Sequence, residues 1–198
     1  ALPIYLGKTI DIHAGGADLI FPHHENEIAQ SECANGCKFV NYWLHNGFVT
    51  INKEKMSKSL GNFLTVDDLL KNYDANTIRF FILTNHYRMP VEFSSEALDS
   101  AKAGVKRLLN AKKTKIDEDL DLTQFEDYKK FVEAMDDDLN TSKALAVLFD
   151  LATKANKDEK NAYTLLYKLG SVLGFNFDKT EISEDEIKKA VEVVSDAL

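Results

Sequence analysis

Two histidines and two glutamates lie within five consecutive residues, His23-His24-Glu25-Asn26-Glu27. If this segment is helical, His23 and Glu27 project from the same face, with about 5–6 Å between their Cβ atoms. Imidazole and carboxylate are both good zinc ligands, so this pair can supply two of the four ligands of a zinc site. The pattern also fits a helix amino terminus, where acidic side chains favour the helix dipole and both histidines face solvent.

The only two cysteines of the chain, Cys33 and Cys37, have a spacing compatible with metal binding. However, Cys33 is ten residues past His23, which is about 15 Å along a helix axis. It cannot reach a metal near His23 unless the helix breaks, so we expect both cysteines to be ordinary thiols. So few cysteines also exclude a disulfide framework and predict a reducing, cytoplasmic location.

Residues 55–62 form a second group of reactive side chains, with the sequence KMSKSLGN. In a loop, Lys55 and Lys58 can hold phosphate as mobile point charges, while hydroxyl groups and backbone amides donate hydrogen bonds. By composition alone, a solvated basic turn is the simpler interpretation. As a string, KMSKS resembles the signature loop of class I aminoacyl-tRNA synthetases.

The elements that position these side chains follow an α/β order. Thr9–His13 predicts a strand, and Pro22 suits the first turn of a helix that begins near His23 and stops at Asn35-Gly36. Two extended segments follow at 40–44 and 48–51. A strand, a helix and a strand in this order favour a parallel sheet.

From residue 65 onward the pattern becomes helical. Ser94 or Ser95 can cap a long helix whose apolar residues recur every three or four positions, and four amphipathic segments follow. These begin near residues 125, 140 and 161 and, for the last one, at the capping box Ser183–Glu186. We therefore predict an α/β part over 1–64, a helical connecting region over 65–115 and a helical bundle over 116–198.

Three longer segments resemble the cysteinyl-tRNA synthetase family of class I. Residues 11–27, DIHAGGADLIFPHHENE, resemble the segment that marks this family, and residues 42–49, YWLHNGFV, precede KMSKSLGN as they do there. Residues 134–141, AMDDDLNT, resemble a segment of the family's helical domain. The resemblance covers residues 1 to about 175 and implies the second half of a Rossmann-like nucleotide-binding domain, followed by a helical bundle.

The resemblance implies ATP-dependent attachment of cysteine to its tRNA through cysteinyl-adenylate, with the thiol selected by zinc. Of the metal ligands, His23 and Glu27 match two, while Cys33 and Cys37 match neither of the two cysteines expected upstream. The family's HIGH string and the first half of the fold are also absent from this chain. We therefore expect an incomplete zinc site here and no ligase activity from this chain alone.

The resemblance also assigns roles to four further residues. Lys58 matches the lysine that holds the ATP phosphates, ATP being the substrate together with magnesium, and Lys55 supports it. His13 and Asp18 match positions in the amino-acid pocket, Asp18 as a partner of the substrate ammonium group. Without the resemblance, His13 and Asp18 are a histidine at a strand end and an aspartate in a turn.

The distribution of charge bears on the partner. The net charge of −8 argues against a nucleic acid, but residues 65–115 hold nine Lys/Arg and six Asp/Glu, a net charge of +3. Lys102, Lys106 and Lys113 lie along or just past one predicted helix and can share a face. That face is either solvated or meets the phosphate backbone of tRNA.

Two alternatives stay open at this stage: a tRNA-binding module without catalysis, and a paralogous ligase that transfers cysteine to a small amine. A membrane partner is not expected, because no apolar run approaches the roughly 20 residues that span a bilayer.

Overall fold

The structure, a computed structural model, describes residues 2–51, 54–56 and 65–178. Strands and helices are mixed in the first half of the chain, and the regular elements described after the fifth strand, up to residue 178, are helices. In chain order the elements are α1 (Leu2–Leu6), β1 (Ile10–Gly16), α2 (Glu25–Asn35), β2 (Val40–Asn46), β3 (Val49–Ile51), β4 (Glu54–Lys55), α3 (Val66–Leu70), α4 (Ala75–Leu83), β5 (Val91–Phe93), α5 (Ser95–Leu109), α6 (Glu126–Asp136), α7 (Thr141–Asn156) and α8 (Ala162–Val172).

Strands β1 and β2 form a two-stranded parallel sheet, and α2 connects them. This confirms the predicted strand–helix–strand unit. Helix α2 begins at Glu25, slightly later than predicted, and ends at Gly36, whose φ of 66° is the left-handed conformation that glycine favours. A small apolar cluster of Ile10, Phe39 and Val40 packs against Ile28 of the helix.

Strand β3 does not extend this sheet. It pairs antiparallel with β4 and parallel with β5, so the second sheet has the order β4-β3-β5. Strand β5 lies inside the segment that the sequence predicts to be helical. The strand forms by pairing with β3, more than 40 residues earlier in the chain, and a local sequence pattern does not reveal such a distant partner. The two sheets are therefore joined by the short link from Asn46 to Val49.

Helices α4 to α8 enclose the main hydrophobic core. The predicted face of α5 is buried, and Ser94 caps this helix by accepting a hydrogen bond from the amide of Ala97. Helices α6, α7 and α8 occupy the three amphipathic segments predicted after residue 124. The predicted last helix, from Ser183, lies outside the described residues. An α/β part followed by a helical bundle is thus confirmed as the fold class.

Several apolar side chains of α1 and of the first sheet are exposed. Within the described residues, Tyr5 is 83% exposed, Ile12 62% and Tyr42 69%. None of the helices in the described residues is long and apolar enough to cross a bilayer.

Candidate active site

The chemistry-bearing residues of the α/β part gather on the two parallel strands and the first turns of α2. His13 lies on β1 opposite Trp43 of β2, and His45 follows two residues later on the same strand. The crossover segment Ile20–His24 and the start of α2 bring two more histidines and Glu27 over these strands. In parallel sheets, ligands bind beyond the carboxyl ends of the strands, and the cluster lies towards that end.

Glu27 is the centre of the predicted metal pair. One carboxylate oxygen, Oε2, lies 2.8 Å from His13 Nε2, and the other, Oε1, lies 3.5 Å from His23 Nε2. The side chain of His23 is 59% exposed, whereas that of His13 is 20% exposed. The structure therefore brings His23 and Glu27 together as the sequence predicted, and adds His13 as the hydrogen-bonding partner that orients the carboxylate.

His24 is buried, only 3% exposed, and so differs from its solvent-facing neighbour His23. Its Nδ1 lies 2.8 Å from Nε2 of His45, so one ring nitrogen donates and the other accepts. Burial, followed by the charges of His13 and His45, lowers the pKa of His24 and favours the neutral imidazole.

The ring of His24 packs closely against β1 and β2. Its centroid is 4.8 Å from that of Trp43, and a Cβ at Gly15 would stand only 2.9 Å from His24 Cε1. Gly15 is therefore required by the close approach of this ring to the strand. The sequence pattern predicted neither His24 nor His45 as a site residue. The paired histidines after a glycine-containing strand end were the available signal.

The residues fit a zinc ion by the chemistry of their donor atoms. Ligand atoms of His13, His24 and Glu27 lie within 4.8 Å of one another, and His23 approaches the second oxygen of the same carboxylate. This triad differs from the predicted pair. Within it, His24 Nδ1 lies within hydrogen-bonding distance of His45, and the distance between His13 and Glu27 is that of a hydrogen bond.

The remaining predicted site residues are more dispersed. Asp18 is exposed on the turn Ala17–Leu19 that follows β1. Lys55 ends β4, and Lys58 lies outside the described residues. Cys33 and Cys37 are free thiols, and Cys33 is exposed, so neither belongs to the cluster around Glu27.

Two protein families match this chain. Residues 2–103 match the family described as the tRNA synthetases class I (C) catalytic domain. Residues 130–178 match the DALR domain. The boundary between the two matches falls after most of α5, within the part that the structure shows as helical.

Curated relatives cover almost the whole chain. The cysteine–tRNA ligase of Laribacter hongkongensis is 49% identical over 201 residues, covering 94% of this chain and 44% of the relative. The corresponding protein of Clostridioides difficile is 45% identical over 217 residues, covering 98% of this chain and 47% of the relative. The chain thus spans less than half the length of these curated relatives.

Solved structures share the fold at low sequence identity. A leucyl enzyme, solved as the LeuRS–tRNA–LeuAMS ternary complex of Agrobacterium radiobacter K84, superposes with a TM-score of 0.60 at 13% identity, covering 84% of this chain and 27% of that one. The methionyl-tRNA synthetase of Mycobacterium tuberculosis, solved in complex with methionyl-adenylate, superposes with a TM-score of 0.53 at 20% identity. The match covers 83% of this chain and 40% of that one.

Proposed function

The chain belongs to the cysteine–tRNA ligase family of class I tRNA synthetases, and from this premise we propose that it forms the second half of the catalytic domain and the first tRNA-binding helices of such a ligase. The complete protein would activate cysteine with ATP as cysteinyl-adenylate and then transfer the cysteine to its tRNA. The observation that carries this proposal is that relatives named cysteine–tRNA ligase match both the α/β part and the helical part at 44–52% identity.

We place selection of the amino acid at the cluster around Glu27. His23 and Glu27 would hold zinc, and His13 would orient the Glu27 carboxylate through its 2.8 Å hydrogen bond. When bound, zinc would supply affinity for the soft thiolate of cysteine and lower the pKa of its thiol. A pocket that recognised shape alone would discriminate only weakly between cysteine and serine. The buried, neutral His24 gives this pocket a wall without positive charge.

The remaining roles concern ATP and the ammonium group. Lys58 would hold the ATP phosphates and stabilise the charge that develops on the leaving pyrophosphate, with Lys55 in support and magnesium bound to ATP. Asp18, exposed beside the end of β1, would pair with the ammonium group of cysteine. These assignments rest on the match of this sequence to the family's motifs.

The helical part supports tRNA as the acceptor rather than a small amine. Relatives named cysteine–tRNA ligase align over 94–98% of the chain and so include α6, α7 and α8. A ligase that transfers cysteine to a small amine has less use for a helical bundle of this size. The chain alone would lack activity, since a class I site is built across both halves of the sheet.

Pyrophosphate exchange tests the proposal in the complete protein. We expect cysteine-dependent exchange in the unmodified enzyme, and a decrease of about 10²–10³-fold in Lys58→Ala, the scale for loss of a preorganised electrostatic contact. Cysteine affinity should change little, because the phosphates are bound apart from the thiol.

The matched control is Lys129→Ala, which removes an exposed lysine of α6 in the helical part. This variant should exchange pyrophosphate at the normal rate. Exchange that does not depend on cysteine would contradict the proposed function, whereas normal exchange in Lys58→Ala would remove only this lysine from the mechanism.

A further inference from the structure

Asp138 lies in the turn between α6 and α7, where the backbone is strained. Asp138 has a φ of 52° and Leu139 a φ of 56°, so two consecutive residues other than glycine adopt the left-handed conformation. Aspartate tolerates this conformation better than most residues, whereas leucine rarely adopts it. Strain of this kind persists only where the surrounding structure holds it in place, and it is often associated with function.

Three side chains from the segment after α4 approach the Asp138 carboxylate. The Tyr87 hydroxyl donates to Asp138 Oδ1 at 2.8 Å, and Arg88 donates from Nε to Oδ2 at 2.6 Å and from a terminal nitrogen to Oδ1 at 3.2 Å. His86 Nε2 lies 3.7 Å from Oδ2. The Arg88 guanidinium thus binds the Asp138 carboxylate in a bidentate manner, which fixes the relative orientation of the two groups.

The segment that carries Tyr87 and Arg88 is itself fastened to the catalytic sheets. The amide of Gly47 donates to the Tyr87 carbonyl oxygen at 2.8 Å, and the Val91 amide donates to Phe48 O at 2.8 Å. A Cβ at Gly47 would stand 2.4 Å from the carbonyl of Met89, so only glycine permits this approach. Gly47 directly follows β2, the strand of Trp43 and His45.

Helix α7 adds two hydrogen bonds to the same junction. The Thr141 hydroxyl donates to the Leu83 carbonyl at 2.8 Å, and the Ser142 hydroxyl donates to the Thr84 carbonyl at 2.7 Å. The last turn of α4 therefore has its free carbonyl groups satisfied by the first turn of α7. Asp138 and Arg88 form the charged pair of this junction, and its other hydrogen bonds join neutral groups.

A groove of about 470 Å³ runs along this junction. One wall is formed by Ile12, Tyr42 and Trp43 of the parallel sheet, and the other includes Arg88, Asp138 and Leu139. Arg88 belongs to the segment after α4 that is bonded to the sheets, whereas Asp138 and Leu139 belong to the helical part, so residues of both parts line the groove. The contacts of Asp138 with Tyr87 and Arg88 lie at this groove and connect its two sides.

We propose that Asp138 is a positioning residue that fixes the helical part against the catalytic sheet for the tRNA-dependent step. This inference rests on the proposed function. Activation of cysteine needs only groups of the catalytic part and the substrates ATP and cysteine. Transfer also needs the end of a tRNA, held by the helical part, to meet the adenylate in the correct geometry, and small misplacements are costly there.

Two adjacent aspartates provide the test, in the complete synthetase. Asp138→Asn removes the charge that joins the two parts, and asparagine retains the left-handed preference of the turn. Asp137→Asn is the matched control, because the side-chain hydrogen bonds that the structure describes for Asp137 go to Lys143, at 2.7 Å, and Asn140, at 3.2 Å, both within the helical part. The assays are pyrophosphate exchange without tRNA and cysteinylation of tRNA.

For Asp138→Asn we expect kcat/KM for tRNA to fall about three- to tenfold, the scale of a partly exposed charge-assisted hydrogen bond, with pyrophosphate exchange unchanged. Asp137→Asn should change neither reaction. Arg88→Ala removes the donor without touching the strained turn, and it should reproduce the effect. Combined with Asp138→Asn, it should add little to either single variant, because both act through one contact.

Equal losses of exchange and transfer in Asp138→Asn would overturn the inference, since they would mean that the residue supports the fold as a whole. Unchanged transfer in both Asp138→Asn and Arg88→Ala would overturn it as well. Failure of the proposed function is distinguishable, because the unmodified enzyme would then show no cysteine-dependent exchange.

Discussion

At the scale of single residues, Glu27 carries most of what is specific about the candidate site. Its two oxygens face different histidines, with His13 at 2.8 Å and His23 at 3.5 Å. A carboxylate that binds a metal through one oxygen is commonly oriented by a hydrogen bond to the other. In the proposed zinc site, this geometry fits His23 as a ligand and His13 as the residue that orients the carboxylate, whereas the sequence predicted His13 only as a residue of the amino-acid pocket.

The first prediction concerns this orienting role. In the complete synthetase, His13→Ala should weaken zinc binding by about 10–100-fold, the usual cost of losing the partner of a metal ligand. The measurement is zinc affinity by competition with a chelator, which is independent of enzymatic activity.

Cys33→Ser is the control for this prediction. Cys33 is an exposed thiol of α2, on the same helix as Glu27 but outside the cluster. Its replacement should leave zinc affinity unchanged. An unchanged affinity in His13→Ala would show that the hydrogen bond to Glu27 does not orient a ligand.

At the scale of elements, α5 buries one face and presents lysines on the other. The side chains on the buried face are at most 3% exposed, namely those of Leu98, Ala101 and Val105, whereas Lys102 and Lys106 are exposed. The side chain of neither lysine has a hydrogen bond or ion pair within the part of the chain that the structure describes. An exposed pair of this kind is free to meet an anionic partner.

The structure corrects one member of the predicted basic face. Lys113 lies beyond the end of α5 at Leu109, and its ammonium group donates to the carbonyl oxygen of Phe177 at 3.2 Å. Lys112 is likewise engaged, with Asp158 at 2.6 Å. The helix ends earlier than the run of lysines, so only Lys102 and Lys106 can act as one face.

The second prediction therefore uses these two lysines alone. In the complete synthetase, reversing Lys102 and Lys106 to Glu should raise KM for tRNA and decrease the slope of log affinity against log salt by up to about two, because two phosphate contacts are lost. Pyrophosphate exchange without tRNA should remain intact. Steady-state cysteinylation over a range of salt concentrations is the measurement.

The matched control reverses Lys129 and Lys130 on α6. Both are exposed, and the net charge of the protein changes by the same amount. If the control raises KM as much as the α5 variant does, the effect comes from total charge. An unchanged KM in the α5 variant at low salt would mean that this face is solvated.

At the scale of the whole molecule, the chain divides into a small α/β part and a large helical part. The helices share one extensive core, whereas the sheet of β1 and β2 buries only Ile10, Phe39 and Val40. Apolar side chains such as Tyr5 and Ile12 are left uncovered by the described residues. The described α/β part therefore has a much smaller hydrophobic core than the helical part.

The third prediction follows from this division. This chain, expressed by itself, should hold zinc at well below one ion per molecule, because only His23 and Glu27 of a four-ligand site match the family's set. Metal analysis of the purified chain measures this directly. Stoichiometric zinc that is lost in His23→Ala would show that other residues of this chain complete the site.

The sequence determined the features that depend on neighbours along the chain. Ser94 and Gly36 mark the ends of helices by local capping and a left-handed turn, and the burial of Leu98 follows from helical periodicity. The His23–Glu27 pair was found because residues four apart on a helix meet without any help from the rest of the fold.

Only the tertiary structure decided the contacts between distant parts. His24 meets His45 across 21 residues and Asp138 meets Arg88 across 50, while β3 chooses β5 rather than β2 as its parallel partner. Such pairings depend on strand register and on how whole elements pack, which a local pattern does not specify. The sequence therefore indicated the chemistry of this site, and packing determined which histidine orients, which is buried and how the helical part is attached.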